Sequence, residues 1–339
     1  MKQAIMMKPG EVTIREVDIP EVAPNQIKVK MKRIGVCGSD IHVFHGKHPY
    51  TSYPVVQGHE VAAKVVEIGS EVTSVKIGDR VTIQPQVVCG KCYPCTHGRY
   101  NACEELKVMG FQTTGMASEY FVTEADKAVK LSEGMSYDEG ALVEPISVAV
   151  HAIRRYGNVA GKKVLVLGGG PIGNLVAQSA KAMGASQVLV SEQSTARLDI
   201  AKGCEIETVN PLETELLDKI IETFGTDKAD VIFECVGINA TMEQAINFSR
   251  KGSDIVVVGV FAGLGTINMG LIQDKELRLI GSAMYRVEDY EKAIELIKDD
   301  LLCLKPLITH RIKFENFQKA YETIELNRDK AMKVMVDFE

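Results

Sequence analysis

The chain of 339 residues contains no apolar stretch near 18 residues, so its sequence offers no transmembrane helix. Its first residues, MKQAIMMKPGEV, lack an apolar core and a small-residue cleavage site, so export is not expected and a cytoplasmic setting is. An excess of positive charge is lacking too. The formal net charge is −6, which speaks against a nucleic-acid surface. The main basic run, KVKMKR at 28–33, alternates its lysines with Val29 and Met31 and reads as the wet face of a strand. Neither a membrane nor a nucleic acid is therefore an expected partner. There is no internal repeat and no low-complexity linker. What is present, 45% hydrophobic and 25% charged residues, is ordinary for a globular protein of a length that suits two compact domains.

The first part, to about residue 147, reads as short strands broken by Gly and Pro. IKVKMKRIGV alternates apolar and polar residues with period two, and VAAKVVEIGS and GDRVTIQP continue the pattern. From about 148 the pattern becomes strands rich in Val and Ile alternating with helices, which predicts a parallel sheet covered on both faces. KKVLVL, QVLVSE, ADVIFECVG, DIVVVGVF and ELRLIGSAMY supply strands of that sheet. Two further helices and a strand follow, in DYEKAIELIKDD, FENFQKAYETIELNR and KAMKVMVDF.

In VLGGGPIG, Gly168, Gly170 and Gly173 form G-x-G-x-x-G directly after a buried strand and open a helix with Pro171 and Ile172. Such glycines permit a tight turn and close backbone approach to a pyrophosphate, with the helix N-terminus supplying N–H groups and partial positive charge. Glu192 follows 19 residues after Gly173 at the end of the next strand. An acid there accepts hydrogen bonds from a ribose and repels a 2′-phosphate, which points to NAD as the cofactor. Arg197 lies close by and bears on that choice, since an arginine accommodates a 2′-phosphate. A plain strand–turn–helix junction with a surface glutamate would use the same residues.

Of the eight cysteines, Cys89, Cys92, Cys95 and Cys103 sit within 15 residues, while Cys37, Cys204, Cys235 and Cys303 stand alone. Without an export signal reduced thiols are expected, and the clustering favours metal over disulfides. The spacing C-x2-C-x2-C-x7-C suits a closed tetrahedral zinc site that orders a loop poor in apolar residues. An iron–sulfur cluster is the rival, but there the fourth Cys is expected sooner and before Pro, whereas Cys103 precedes Glu104.

PVVQGHEVAA puts His59 and Glu60 inside an apolar run, GVCGSDIH places Cys37 at a strand end, and LVEPISVAVHA places Glu144 before Pro145. Taken singly, each has an ordinary core or surface explanation. Together they describe three buried settings holding ionisable groups that a divalent cation would neutralise. A thiolate, an imidazole and a carboxylate with a water make a catalytic zinc shell with an open position.

GVCGSDIH, GHE, the four-Cys loop, ALVEPISVAVHA, GGGPIG and SEQSTARL occur over the whole chain in the order found in the zinc-dependent medium-chain alcohol dehydrogenase superfamily, which the sequence resembles. Within it the chain looks most like the sorbitol (polyol) dehydrogenase branch, with Glu144 where alcohol dehydrogenases proper use a Cys ligand. The resemblance implies an α/β chain. A GroES-like β-rich catalytic domain at 1–147 is completed by 285–339, and a doubly wound Rossmann domain for NAD spans 148–284, with the site between them. It implies two zincs, one structural and one catalytic. Cys37 and His59 are ligands of the catalytic zinc, and Glu60 and Glu144 are its carboxylates, either binding directly or through water. The substrate hydroxyl takes the open position and its hydride passes to NAD. Ser39 and His42 match the family's proton relay, and Glu60 joins them as a catalytic side chain.

The expected partner is a small polyol or sugar-derived substrate, in a homodimer or homotetramer that covers the apolar edge strand near ELRLIGS. Sorbitol dehydrogenases carry an Arg-Tyr pair where this chain has Met284 and Tyr285, so a donor fork is missing and sorbitol itself is in question. Phe44 and Tyr50 are candidates to line the substrate pocket. Threonine or 2,3-butanediol dehydrogenases and sugar-acid dehydrogenases of the gulonate or galactonate type are the alternatives on the same scaffold. Zinc-free reductases of this fold lack the Cys/His/Glu set, and a non-enzymatic regulator is opposed by the intact phosphate loop.

Overall fold

The structure, a computed structural model, describes residues 1–338. The chain divides into two compact units, each with its own sheet. The first comprises Met1–Glu144, Arg286–Ile294 and the chain from Ile308 on; the second comprises Pro145–Tyr285 and Glu295–Leu307.

The first unit is built on a seven-stranded sheet. Along it run Ile308–Lys313, Lys333–Asp337, Gln26–Val36, Glu60–Ile68, Arg80–Ile83 and Ala128–Lys130, with Tyr120–Glu124 also pairing with Gln26–Val36. Alternation puts Ile27, Val29 and Met31 into the core and leaves Lys30 exposed, as the basic run predicts. Towards its end the strand Gln26–Val36 becomes apolar on both faces, and Ile34, Gly35 and Val36 are all buried. Two register shifts against Glu60–Ile68 bring Gly35 opposite Glu60. A Cβ at position 35 would lie 2.2 Å from Glu60 Oε2, so glycine here makes room for a buried carboxylate. The strand Lys333–Asp337 pairs antiparallel with the same segment, Val334 opposite Val36.

The second unit is a six-stranded parallel sheet. Its spatial order is Glu207–Val209, Gln187–Ser191, Lys163–Leu167, Val231–Glu234, Asp254–Val257, Arg278–Gly281. In chain order that is 3-2-1-4-5-6, the doubly wound dinucleotide-binding arrangement, with its reversal between Lys163–Leu167 and Val231–Glu234. Leu165, Leu189, Ile232 and Ile255 pack with Ile220 and Ile246 of the flanking helices Leu216–Phe224 and Asn239–Phe248. The edge strand Arg278–Gly281 has only one neighbour and exposes Leu279.

Some elements differ from the sequence reading. The apolar run around Glu144 belongs to a helix, Tyr137–Tyr156, with Pro145 inside it. Val143, Ile146, Val150 and Ile153 recur there at helical spacing and are fully buried. Periodicity over a run so uniformly apolar does not separate helix from strand. Cys37 ends its strand as expected, but it also caps a short helix, Gly38–Phe44. Two strands carry no clear alternation in the sequence: Glu207–Val209, three residues long, and Ile308–Lys313, with mixed exposure.

Candidate metal and dinucleotide sites

Strand pairing assembles the first cluster. Cys37 follows Val36, and His59 precedes Glu60 at the start of the antiparallel neighbour, so the two strand ends meet. One ligand atom each from Cys37, His59 and Glu60 lie within 4.8 Å of one another. Glu144 stands outside that closest trio but is buried, and its charge acts on both His59 and Lys333. His59 Nδ1 has no hydrogen-bond partner; the nearest carboxylate oxygen, Asp40 Oδ1, is 3.5 Å away. Burial alone would lower the His59 pKa, but Asp40, Cys37 and Glu144 outweigh it and hold it well above the ordinary 6.5. Without a cation this pocket therefore prefers to take up a proton. An orphaned buried imidazole nitrogen beside a thiol and carboxylates is a donor set that fits zinc.

Several residues that the sequence reading did not single out hold this cluster. Lys333, 4% exposed at its side chain, donates to both oxygens of Glu60 at 2.6 Å. Burial works against its charge, but Glu60, Cys37 and Glu144 raise its pKa above 10.5. Asp40 accepts from the Cys37 amide at 3.0 Å and from Gln57 Nε2 at 3.1 Å, and Tyr321 donates to Gln57 Oε1 at 2.8 Å. Burial raises the Asp40 carboxyl against the pull of His59, and raises the Tyr321 hydroxyl well above 10. Tyr321 in turn stacks flat on Phe44, ring centroids 4.9 Å apart. Phe111 packs between His59 and His48, its centroid 5.0 Å from the first ring and 4.7 Å from the second. Lys333 did carry the signal that marks His59 and Glu60, an ionisable residue inside an apolar run, AMKVMVD.

Ser39 and His42 lie three residues apart on the helix Gly38–Phe44, Ser39 half-buried and His42 exposed. Phe44 is core, whereas Tyr50 is 72% exposed.

The four-Cys loop winds through two short turns, Tyr93–Thr96 after Cys92 and Tyr100–Ala102 before Cys103. All four sulfurs lie within 4.8 Å of one another. Cys103 Sγ is 3.5 Å from Cys89 Sγ and 3.9 Å from Cys92 Sγ. A tetrahedron with zinc–sulfur bonds of 2.3 Å has edges of about 3.8 Å, so one ion fits, whereas a cluster puts its thiolates on different irons, further apart. The amides of Glu104 and Cys95 bring Cys92 down to about 7, while burial and hydrogen bonds to Cys92 and Cys103 push Cys95 up to about 12. A divalent cation removes that competition between neighbouring thiols.

In the second unit Gly168 leaves its strand at φ +97°, and a Cβ on Gly173 would lie 1.8 Å from Gly168 O. Gly170 caps the helix Pro171–Ala182 without a side chain, Pro171 is in its first turn and Ile172 is half-buried, so backbone N–H groups face outward at the helix start. Glu192 follows the strand Gln187–Ser191. It accepts from Gly169 N, Gln193 N and Ser194 N, each at 2.8 Å. A carboxylate has about four acceptor positions, so this one, fixed beside the phosphate loop, keeps capacity for a ribose hydroxyl. Arg197 Nη1 is 3.9 Å from Glu192 Oε2. The strand–loop–helix and its acid fit a dinucleotide.

The family model described as "Alcohol dehydrogenase GroES-like domain" matches residues 23–133, and "Zinc-binding dehydrogenase" matches 171–299. Sorbitol dehydrogenase 1 of Saccharomyces cerevisiae is 36% identical over 334 residues, covering 94% of this chain and 92% of its own. L-galactonate-5-dehydrogenase of Escherichia coli is 32% identical, covering 100% of this chain and 99% of its own. The crystal structure of galactitol-1-phosphate dehydrogenase from Escherichia coli superposes with a TM-score of 0.93 at 30% identity, over 99% of this chain and 100% of that one. The chain is thus an oxidoreductase that works with zinc and NAD, and it belongs to the zinc-dependent medium-chain alcohol dehydrogenases, in their sorbitol dehydrogenase-like branch.

Proposed function

We propose that this enzyme oxidises a secondary hydroxyl of a polyol or sugar-derived substrate, with Cys37 and His59 holding the catalytic zinc and Cys89, Cys92, Cys95 and Cys103 holding a structural one. The observation that carries the reading is the convergence of Cys37, His59, whose Nδ1 has no hydrogen-bond partner, and Glu60 in one largely buried cluster. Zinc held there would supply Lewis acidity that lowers the pKa of the substrate hydroxyl, and NAD would take up the hydride. Asp40, with Oδ1 3.5 Å from His59 Nδ1, supplies a negative charge beside the imidazole. Lys333 neutralises Glu60, and Glu144, whose charge acts on His59 as well as on Lys333, is the carboxylate that completes the shell. Ser39 Oγ takes the proton released by the substrate hydroxyl, and His42, on the exposed side of the same helix, gives it to solvent.

Met284 supplies no hydrogen-bond donor, so neighbouring hydroxyls need other polar contacts. His48 can make one. Its Nδ1 bonds Thr51 at 2.8 Å, and its ring is set against Phe111, one ring away from His59. Burial and the nearby His42 and His59 keep this imidazole below its ordinary pKa, hence neutral and able to donate or accept. The full-length match to an L-galactonate dehydrogenase favours a sugar acid as the second reading. Glu192 binds the adenosine ribose of NAD, with Gly168, Gly170, Pro171, Ile172 and Gly173 around the pyrophosphate and Arg197 beside them. A homodimer or homotetramer covering Arg278–Gly281 and a cytoplasmic setting belong to the same proposal. A panel of polyols, sugar phosphates, sugar acids and amino alcohols with NAD, read by reduced-nicotinamide absorbance, tests it. Turnover confined to amino alcohols, or to none of the panel, would refute the polyol reading, and a monomeric mass in light scattering would refute the assembly.

A further inference from the structure

Cys204 and Cys303, 99 residues apart in the chain, meet in the second unit. Cys204 ends the helix Thr195–Gly203, its amide donating back to Ile200 O and Ala201 O. Its Sγ lies 3.4 Å from Cys303 O, and Cys303 Sγ lies 3.9 Å from Gly203 O, so each thiol leans over the other's backbone. The buried side chain of Gln178 fixes the second partner. Its Oε1 accepts from Cys303 N at 2.6 Å and its Nε2 donates to Cys303 O at 3.2 Å. Both backbones are thus held, one by a helix end and one by an amide clamp, with each thiol set against the backbone next to the other. Neither thiol belongs to the zinc or dinucleotide sites described above.

We infer that Cys204 and Cys303 are an oxidation site, a dithiol that hydroperoxides convert to a disulfide. Cys303, half-exposed, is the sulfur an oxidant reaches; Cys204 is buried behind it. Burial and the neighbouring Cys303 push Cys204 up to about 12, so it stays a thiol while Cys303 reacts. In the first step the Cys303 thiolate attacks one oxygen of hydrogen peroxide, the O–O bond breaks, and Cys303 sulfenic acid and hydroxide form. In the second, Cys204 sulfur displaces the sulfenic oxygen, which leaves as water with the Cys204 proton, and the S–S bond closes. Two thiols lose two electrons to one peroxide, and two waters form in all. The bond ties Glu295–Leu307 to the helix Thr195–Gly203 just before the chain returns to the first unit at Ile308.

The test treats the zinc-loaded, full-length enzyme with hydrogen peroxide and maps its peptides without reduction. A Cys204–Cys303 peptide lacking two hydrogens is expected, with a Tm several degrees above that of the reduced protein because a long loop is closed. Cys303→Ser should give neither the link nor a dimedone adduct at this pair. Cys204→Ser should instead leave Cys303 trappable by dimedone, since the resolving thiol is gone. Irreversible oxidation of Cys303 in the wild type without the link, disulfides confined to the four-Cys loop, or both thiols recovered unmodified would each overturn the assignment.

Discussion

Lys333 Nζ is 2.6 Å from both carboxylate oxygens of Glu60, and neither side chain is more than 4% exposed. Removing one partner of such a pair strands the other charge in the core, at a cost of about 3–5 kcal/mol. Lys333→Met should lose stability of that order in denaturant unfolding, and Glu60→Gln in the same chain should restore much of it. A double variant no more stable than Lys333→Met alone would show that the pair is not what holds this end of the sheet.

The two zinc sites should fail differently. On the proposed assignment Cys37→Ser removes a ligand of the catalytic zinc, so turnover should drop about a thousandfold, ~4 kcal/mol of barrier, with the fold and NAD binding retained. Cys92→Ser breaks a closed site whose ligand field orders the loop, so it should lose thermal stability or solubility first. Metal analysis should find about two zincs per wild-type chain and about one in each variant. Wild-type turnover in Cys37→Ser, or an unchanged Tm and zinc content in Cys92→Ser, would contradict this division.

Glu192→Ala removes a negative charge beside the phosphate loop as well as the acceptor for three amides. The kcat/KM ratio of NAD to NADP should fall by about tenfold or more, ~1.4 kcal/mol, because discrimination against the 2′-phosphate rests on repulsion. An unchanged ratio would place cofactor selection elsewhere.

Asp138 ties three strands of the first sheet to a helix start. It accepts from Arg33 Nε at 2.9 Å and from the guanidinium of Arg311, and Asp337 shares both arginines. Burial would raise its carboxyl, but Arg311 and Arg33 outweigh burial and hold it below the ordinary 3.8. A carboxyl with a lower pKa folded than unfolded stabilises the fold fully above its unfolded value, and that contribution is lost as pH falls through the folded one. Asp138→Asn should therefore cost about 1 kcal/mol at neutral pH, a modest figure because Arg311 is partly exposed, and the gap from wild type should close in strong acid. A gap that stays constant with pH would mean that packing, not charge, is what the variant loses.

Local signals were legible wherever the chemistry is local. The strand alternation at 28–33, the glycine turn at 168–173 and the four cysteines at 89–103 each sit within one short segment, and the structure keeps each segment together. The misplaced charges of His59 and Glu60 were legible as an anomaly, because an apolar run should not hold them. Their partners were not. Lys333 lies 273 residues from Glu60 and Tyr321 lies 264 from Gln57, and nothing local pairs residues over such distances. The same limit hid Cys204 and Cys303, which look solitary until a helix end and a returning segment bring them together. Glu144 stood out as an ionisable residue in an apolar run while its helix did not, since the residues around it are apolar on every side.

The strand Lys333–Asp337 lies between Gln26–Val36 and the edge strand Ile308–Lys313 of the first unit's sheet. Ribosomal synthesis therefore separates a thiol and imidazole made early from the ammonium ion that balances their neighbour. At about 5–20 residues per second, the 273 residues between Glu60 and Lys333 take roughly 15–55 s to emerge. During that interval Gln26–Val36 has one unpaired edge and Glu60 has no counter-charge. The counter-charge of Glu60 is thus available only once residue 333 has been made, and a premature stop before codon 333 yields a protein that lacks both the strand and the charge.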